Sequence, residues 1–158
     1  MPPVLVIGVG SDLRTDDAVG RRVVDQVAAR RLDGVETRSL HQLTPELSAD
    51  VGGRELVVFV DAAVDVAAPA VRPLAPGPHT PVATHHLDPT TLLALAARLG
   101  WAPKAAVSVR VPVRNLAFGT RLSGPTREVT GQVTETVVAL CLGALDDRSR
   151  GAAPTPGP

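Results

Sequence analysis

The segment from Val4 to Gly20, VLVIGVGSDLRTDDAVG, combines an apolar strand, a glycine turn and the start of a helix. Val4–Val9 is a continuous apolar run, which is typical of a buried strand. Glycine lets the backbone turn sharply where that strand ends. Two adjacent carboxylates, Asp16 and Asp17, then open the predicted helix. The loop between strand and helix lies at the carboxyl end of the strand, where open α/β sheets place their ligands.

Apolar periodicity predicts alternating strands and helices along the rest of the chain. We predict strands at Val35–Leu40, Glu55–Val60, Ala70–Leu74 and Ala105–Val113, and helices at Asp16–Leu32, Thr44–Val51, Asp88–Leu99 and Ser123–Leu145. This alternation predicts a largely parallel sheet that is covered on both faces. We expect a single domain over residues 1–145, followed by a disordered, Pro- and Gly-rich tail over residues 146–158.

Local signals refine three of these elements. In the first helix, Gly20 is a position that permits close packing. The third helix has Asp88 as its N-cap and Gly100 just past its end, and its predicted core face consists of Leu92, Leu95 and Leu99. The predicted edge strand Ala70–Leu74 contains Pro73, which is tolerated in a sheet mainly at an edge.

Composition argues against several classes of function. Lys plus Arg and Asp plus Glu both number 16, so the zero net charge argues against a nucleic-acid surface. The single cysteine, Cys141, excludes an intrachain disulfide and a multi-cysteine zinc site, and it suits a reducing cytosol. We see neither a signal peptide nor an apolar run of membrane-spanning length. We therefore expect a cytoplasmic protein that binds neither nucleic acid nor membrane.

A nucleotide-binding domain is the less favoured alternative. Gly8 and Gly10 follow a strand, as the dinucleotide fingerprint requires, but Leu13 stands where its third glycine would be. The two carboxylates at the helix start would repel a pyrophosphate there. Glu36 could imitate the acid that binds a ribose in such domains.

A metal or acid–base site at the carboxyl edge of the sheet is the second candidate. Asp17 follows the loop after the first strand, Asp61 is predicted at the exit of the Glu55–Val60 strand, and His85 precedes the third helix. Two carboxylates and one imidazole suit a divalent transition metal and leave coordination positions open. Each residue also has an ordinary structural interpretation: a first-turn Asp stabilises a helix by about 0.3–1 kcal/mol, and an Asp after a strand is a common turn residue.

Nucleophilic hydrolysis is poorly supported. The sequence has no G-x-S-x-G motif, because Ser11 lies in GVGSDL. Cys141 lies near the apolar face of the last helix and is expected to be a core residue. His41 and His79 lie in predicted loops without an evident partner.

Four motifs in order resemble the hydrogenase maturation proteases, the endopeptidases that process nickel–iron hydrogenase large subunits. IGVGSDLRTDDAVG resembles the family's glycine-loop signature, and VVFVDAAVD resembles its strand that ends in Asp-Ala. THHLDPTTLLALAARLG resembles its histidine-then-helix element, and FGTRLS resembles the segment before its last helix. The resemblance implies a three-layer α/β/α fold with a twisted, mostly parallel central sheet, of the phosphorylase/hydrolase-like type.

The resemblance also implies roles for particular residues. It assigns Asp17, Asp61 and His85 to metal contact, and Asp16 to the support or orientation of Asp17. Asp16, Asp17 and Asp61 are accordingly the expected catalytic residues, and Gly10 and Ser11 form the expected substrate loop. Ser11 stands where the family usually has Asn, and a hydroxyl lacks the paired donor and acceptor of an amide.

The implied substrate is the nickel-loaded precursor of a nickel–iron hydrogenase large subunit. The precursor, rather than the protease, supplies the nickel, and the enzyme then removes a C-terminal extension. Either the metal polarises the scissile carbonyl or activates water, or Asp16 or Asp17 acts as general base. A non-catalytic chaperone that checks for nickel in the precursor with the same residues is an alternative.

Overall fold

The computed structural model describes residues 1–10, 18–78, 87–113 and 124–152. The strands are β1 (Val4–Val9), β2 (Val35–Leu40), β3 (Leu56–Ala63), β4 (Ala70–Leu74) and β5 (Ala105–Pro112). The helices are α1 (Val19–Ala29), α2 (Leu47–Val51), α3 (Pro89–Arg98) and α4 (Gly124–Gly151). None of the helices in this part of the chain is long and apolar enough to cross a membrane.

The strands form one five-stranded sheet in the order β2-β1-β3-β5-β4. β2, β1, β3 and β5 are parallel, and β4 is antiparallel to β5 at one edge. This position explains why Pro73 is tolerated in β4, since an edge strand leaves one row of backbone groups without a neighbouring strand. The predicted mostly parallel sheet is therefore confirmed.

Both faces of the sheet are covered, as predicted. Alternate residues of β1 and β3 point to opposite faces, so Val4, Val6, Val58 and Val60 pack with the buried residues of α1 and α4. Leu5, Ile7, Val57 and Phe59 pack on the other face with those of α2 and α3. Helices on both sides of one sheet give the three layers that the resemblance implies.

Strand bounds agree closely with the predictions, with one informative exception. β1, β2 and β4 have the predicted bounds, and β5 ends at Pro112 rather than Val113. β3 was expected to end at Val60 but continues to Ala63. β3 is longer than predicted because its ladder with β5 continues to the pair Ala63 and Pro112.

Two helix bounds were predicted wrongly for reasons of backbone conformation. α1 ends at Ala29 rather than Leu32, because Arg31 adopts a left-handed conformation with φ of 50°. α2 begins at Leu47 rather than Thr44. The Leu47 amide instead donates to the carbonyl of Thr44 across 3.1 Å, a spacing of three residues that marks a tighter turn.

The third helix confirms its predicted cap but not its whole core face. Asp88 accepts a hydrogen bond from the Thr91 amide at 2.7 Å, and Gly100 follows the helix with φ of 76°. Leu92 is buried, but Leu99 is 47% exposed. Leu99 is the C-cap residue rather than part of the helix, and the buried face consists of Leu92, Leu93 and Ala96.

The last helix extends past the predicted domain boundary. α4 continues through Gly151, so residues 146–151 are helical and the predicted helix end at Leu145 is too early. Residues 153–158 lie outside the described residues, and disorder there stays a prediction. Val133 and Val137 of α4 are fully buried against α1 and the sheet.

Candidate functional site

Asp61 lies at the carboxyl edge of the β1–β3 pair. The ladder between these two strands ends at Gly8 and Val60, and Asp61 is the next residue of β3. It was predicted at the exit of the strand, but it lies inside β3, paired in register with Arg110 of β5. Its side chain is nonetheless exposed, in contrast to the buried run from Leu56 to Val60. The carboxylate is therefore accessible from solvent.

The sheet topology makes this edge the natural ligand site. From β1 the chain crosses through α1 to β2 on one side, whereas from β3 it continues to β4 and β5 on the other side. Connections that leave neighbouring parallel strands in opposite directions open a crevice between their carboxyl ends. Asp61 stands at this crevice.

Two glycines bring the first turn of α1 directly onto the sheet beside Asp61. A Cβ placed on Gly20 would lie 2.4 Å from the carbonyl oxygen of Val60 and 2.8 Å from that of Val9. A Cβ on Gly8 would lie 2.3 Å from the carbonyl oxygen of Gly20. Only glycine permits this approach, so the close packing predicted at Gly20 is confirmed. The first turn of α1 contacts the peptide group that joins Val60 to Asp61.

α3 begins at the same edge, on the face toward which Asp61 points. Asp61 lies at alternate positions of β3 with Val57 and Phe59, so its side chain points to the same face of the sheet as theirs. Val57 and Phe59 pack against α2 and α3. Leu87, just before α3, forms an isolated antiparallel bridge with Leu43, which follows the carboxyl end of β2. The start of α3 therefore lies at the carboxyl edge of the sheet.

The structure describes two of the six predicted site residues. Asp61 lies at the crevice, and the amide of Gly10 donates to the carbonyl of Leu40 at 3.0 Å, which fixes the end of β1 to β2. The other four residues, Asp16, Asp17, His85 and Ser11, lie outside the described residues. Among the residues that are described, no three acidic, histidine or cysteine side chains form a group that could hold a metal ion. Convergence of the three predicted ligands stays a prediction.

An ion pair next to Asp61 was not predicted from the sequence. Arg110 donates from Nη2 to Asp65 Oδ1 at 2.7 Å and from Nη1 to Asp65 Oδ2 at 3.1 Å. The hydrogen bonds from Arg110 lower the pKa of the Asp65 carboxyl. The only sequence signal was the spacing of Asp65 from Asp61 within VVFVDAAVD, because the partner Arg110 is distant along the chain.

A second polar cluster corrects the prediction for His41. Arg21 of α1 donates from Nε to Ser39 Oγ at 3.0 Å, and its Nη1 lies 3.4 Å from both ring nitrogens of His41. His41 therefore has a neighbour that the sequence did not reveal, because the contact joins the first helix to the end of β2. His79 lies outside the described residues.

Two alternatives from the sequence are weakened by the structure. Glu36 lies near the start of β2, where it pairs with Arg38 and Arg54 at 2.7 Å each. It is therefore engaged at the amino edge, whereas a ribose-binding acid is needed at the ligand edge. Cys141 is fully buried, and this burial raises its pKa to about 11. Its thiol is a core group and a poor nucleophile at neutral pH.

Comparisons with known proteins identify the fold. No protein-family model matches this sequence, and no curated protein matches it. The hydrogenase maturating endopeptidase HybD from E. coli superimposes with a TM-score of 0.75 at 24% identity, over 89% of this chain and 93% of that one. The hydrogenase 2 maturation peptidase from Thaumarchaeota archaeon SCGC_AB-539-E09 gives 0.65 at 24% identity, over 87% and 96%. The [NiFe] hydrogenase maturation protease HycI from Thermococcus kodakarensis gives 0.68 at 18% identity, over 89% and 92%. The chain has the fold of these proteins, as the resemblance implied.

Proposed function

We propose that this protein is an endopeptidase of hydrogenase maturation, which removes the C-terminal extension of a nickel-loaded nickel–iron hydrogenase large-subunit precursor. The observation that carries the proposal is the exposed carboxylate of Asp61 at the crevice of this fold. The three solved structures compared above share this fold and are named as a hydrogenase maturation endopeptidase, peptidase and protease. The four sequence motifs support the same activity.

Chain connectivity supports the proposed ligand set of Asp17, Asp61 and His85. Asp17 directly precedes Ala18, and His85 is two positions before Leu87. Consecutive Cα atoms are about 3.8 Å apart, so covalent bonds alone limit how far each residue can be from its described neighbour. Both neighbours belong to the carboxyl edge, since one precedes the first turn of α1 and the other precedes α3. The described residues that follow the two proposed ligands along the chain therefore lie at the edge that holds Asp61.

In the proposed mechanism, nickel is part of the substrate. Two carboxylates and one imidazole contain no thiolate, so they would hold nickel loosely without the precursor. Cysteine thiolates of the precursor would complete the coordination of the ion. A precursor without nickel lacks this bridging contact, so the affinity of the protease would distinguish loaded from unloaded substrate.

Carboxylates are the proposed catalytic groups, with Asp16 or Asp17 as a general base or with the ion polarising the scissile carbonyl. Gly10 and Ser11 are the proposed substrate loop. The buried thiol of Cys141 supports a mechanism without a cysteine nucleophile. A lone buried cysteine also suits the cytoplasmic location that we propose.

Purified protein mixed with nickel-loaded and with nickel-free precursor tests the proposal, with mass spectrometry as the readout. We expect loss of the C-terminal peptide from the loaded precursor alone. Equal processing of both precursors would contradict the metal-sensing step. Nickel-dependent binding without any loss of mass would instead support the chaperone.

The variant Asp61→Ala tests the role of this carboxylate. We expect processing of the loaded precursor to be abolished, because Asp61 is one of only three proposed ligands to its nickel ion. Because Asp61 is exposed, we expect the free energy of unfolding to change by less than about 0.5 kcal/mol. Asp146→Ala, which removes an exposed carboxylate from α4, is the matched control and should process precursor normally. Normal turnover by Asp61→Ala would remove this residue from the site.

A further inference from the structure

Asp61 and Arg110 are neighbours in the ladder between β3 and β5. They are paired in register on parallel strands, so their Cα atoms are about 4.8 Å apart and their side chains leave the same face of the sheet. Arg110 and Ala106 lie at alternate positions of β5, so their side chains point to the same face of the sheet. Ala106 packs on this face with α2 and α3. Arg110 is therefore the cross-strand neighbour, on the same face of the sheet, of the residue proposed to bind nickel.

A guanidinium in this position has a cost for the proposed activity. Arginine presents its N–H donors in a planar fork that matches a carboxylate. If that fork engaged Asp61, it would occupy the oxygens that the cation of the substrate needs. It would also place a positive charge beside the approaching ion.

In the structure, both terminal nitrogens of Arg110 donate to Asp65. The two bonds are 2.7 and 3.1 Å long, one to each carboxylate oxygen. Asp65 follows the end of β3, so the short stretch from Ala62 to Val64 separates it from Asp61. The side chain of Arg110 is 35% exposed and that of Asp65 is 63% exposed, which leaves the guanidinium room to turn when its partner is removed.

We propose that Asp65 is a positioning residue that binds the Arg110 guanidinium and thereby holds it away from Asp61, where it would compete with the nickel ion of the substrate. The inference rests on the proposed function, in which Asp61 contacts that ion. It assigns to Asp65 a positioning role that its exposed side chain would not reveal, whereas Arg110 contributes nothing to substrate binding. Asp65 itself contacts neither substrate nor metal in this scheme.

Three variants test this role through rescue: Asp65→Ala, Arg110→Ala and the double variant. In Asp65→Ala the guanidinium turns to Asp61. An exposed ion pair contributes up to about 1 kcal/mol, so we expect affinity for nickel-loaded precursor and kcat/KM both to fall by up to about fivefold. Arg110→Ala should stay within about twofold of the parent protein. The double variant should return to the parent values, because the competing guanidinium is gone.

A crystal structure of Asp65→Ala supplies a readout that does not depend on activity. We expect an Arg110 nitrogen within about 3 Å of an Asp61 oxygen. Thermal unfolding of all three variants checks that each is folded. If Asp65 served only to hold the β3–β4 connection, the double variant would remain as impaired as Asp65→Ala.

The outcomes separate this inference from the proposed function. A parent protein that neither binds nor processes the loaded precursor overturns the proposed function. A parent protein that processes it, together with an unimpaired Asp65→Ala or an unrescued double variant, overturns the role of Asp65 alone. Arg110 still directed away from Asp61 in the crystal structure of Asp65→Ala would do the same.

Discussion

The two edges of the sheet use charged side chains in opposite ways. At the amino edge, Arg54 is 2% exposed and its guanidinium binds the carbonyls of Asp50 and Pro2 as well as the carboxylate of Glu36. At the carboxyl edge, the Asp61 side chain and the Asp65 carboxylate are exposed. The amino edge therefore uses its arginine to join the N-terminal residues to β2 and α2, whereas the carboxyl edge presents carboxylates to solvent.

In the proposed function, the site coincides neither with the buried ion pair of Arg54 and Glu36 nor with a groove at the same edge. A groove of about 950 Å³ lies between α4 and the start of β3 and β5, at the amino edge. Its lining includes small residues of α4 and the pair formed by Lys104 and Glu55 at 2.8 Å. The crevice at the carboxyl edge is instead indicated by strand topology and by the exposed acid.

Arg54→Met gives the largest expected change in stability and tests the structural side of the comparison. It removes a buried guanidinium and leaves the carbonyls of Asp50 and Pro2 without this donor, while Glu36 keeps its bonds from Arg38. We therefore expect the free energy of unfolding to fall by about 3 kcal/mol, the low end for a broken buried ion pair. Processing per folded molecule should not change, because the residue lies at the opposite edge from Asp61. Urea titration and a precursor assay at matched folded concentration measure the two quantities.

Lys104→Met is the matched control at the same edge. The side chain of Lys104 is 74% exposed, and an exposed ion pair contributes less than about 1 kcal/mol. If Arg54→Met were no more costly than Lys104→Met, the amino edge would not depend on its buried arginine. If it reduced processing by folded molecules, the functional separation of the two edges would be wrong.

The sequence predicted the sheet well because its strands are apolar runs with clear ends. The strands β1 and β2 have the predicted bounds, and the N-cap Asp88 forms the expected bond to the Thr91 amide. Features that depend on distant partners were missed. β3 continues past Val60 because β5 pairs with it, and nothing beside Arg54 in sequence indicates that it will bind Pro2 and Glu36.

In the candidate site, too, the features set by local sequence were predicted and those set by distant partners were missed. Local pattern placed Asp61 near the end of a strand, and strand order then brings it to the crevice. The neighbouring Arg110 could not be predicted, because register between β3 and β5 is a property of the folded sheet. The roles of Asp16, Asp17 and His85 came from resemblance and stay predictions.

Gly20→Ala tests whether the carboxyl edge depends on close approach of α1. A methyl group there would lie 2.4 Å from the Val60 carbonyl oxygen, and backbone atoms must shift to accommodate it. Overpacking of this kind costs about 1–3 kcal/mol. Because the shift displaces the helix start beside Asp61, we also expect slower processing by the folded fraction. Calorimetry and the precursor assay measure both effects.

Gly131→Ala is the control for the loss of a helical glycine. Gly131 lies within α4, and a Cβ placed there would have no heavy atom within 4 Å. This substitution should therefore stabilise the protein by about 0.5–1 kcal/mol. If Gly20→Ala stabilised the protein as Gly131→Ala is expected to, α1 would not need its close contact with β3.

Asp88→Ala gives the smallest expected change and separates two acids at the same edge. The backbone amide of Thr91 lowers the pKa of Asp88, and the hydroxyl of Thr90 contributes in the same direction. A lowered pKa means that the ionised cap stabilises the fold above its unfolded pKa of about 3.9, and that this contribution is lost as pH falls through the folded pKa. At pH 7 the variant should lose about 1 kcal/mol of stability.

Urea titrations should show that the difference in stability between the parent protein and Asp88→Ala shrinks as pH falls below about 4. The Asp88 carboxyl of the parent protein then becomes protonated. Processing by folded molecules should be preserved at pH 7, because this carboxylate is engaged by its own helix. Asp61→Ala should show the reverse, with stability preserved and processing lost. Suppose instead that Asp61→Ala and Asp88→Ala changed stability and processing to the same extent. The exposure of a carboxylate at this edge would then not separate a catalytic residue from a helix cap.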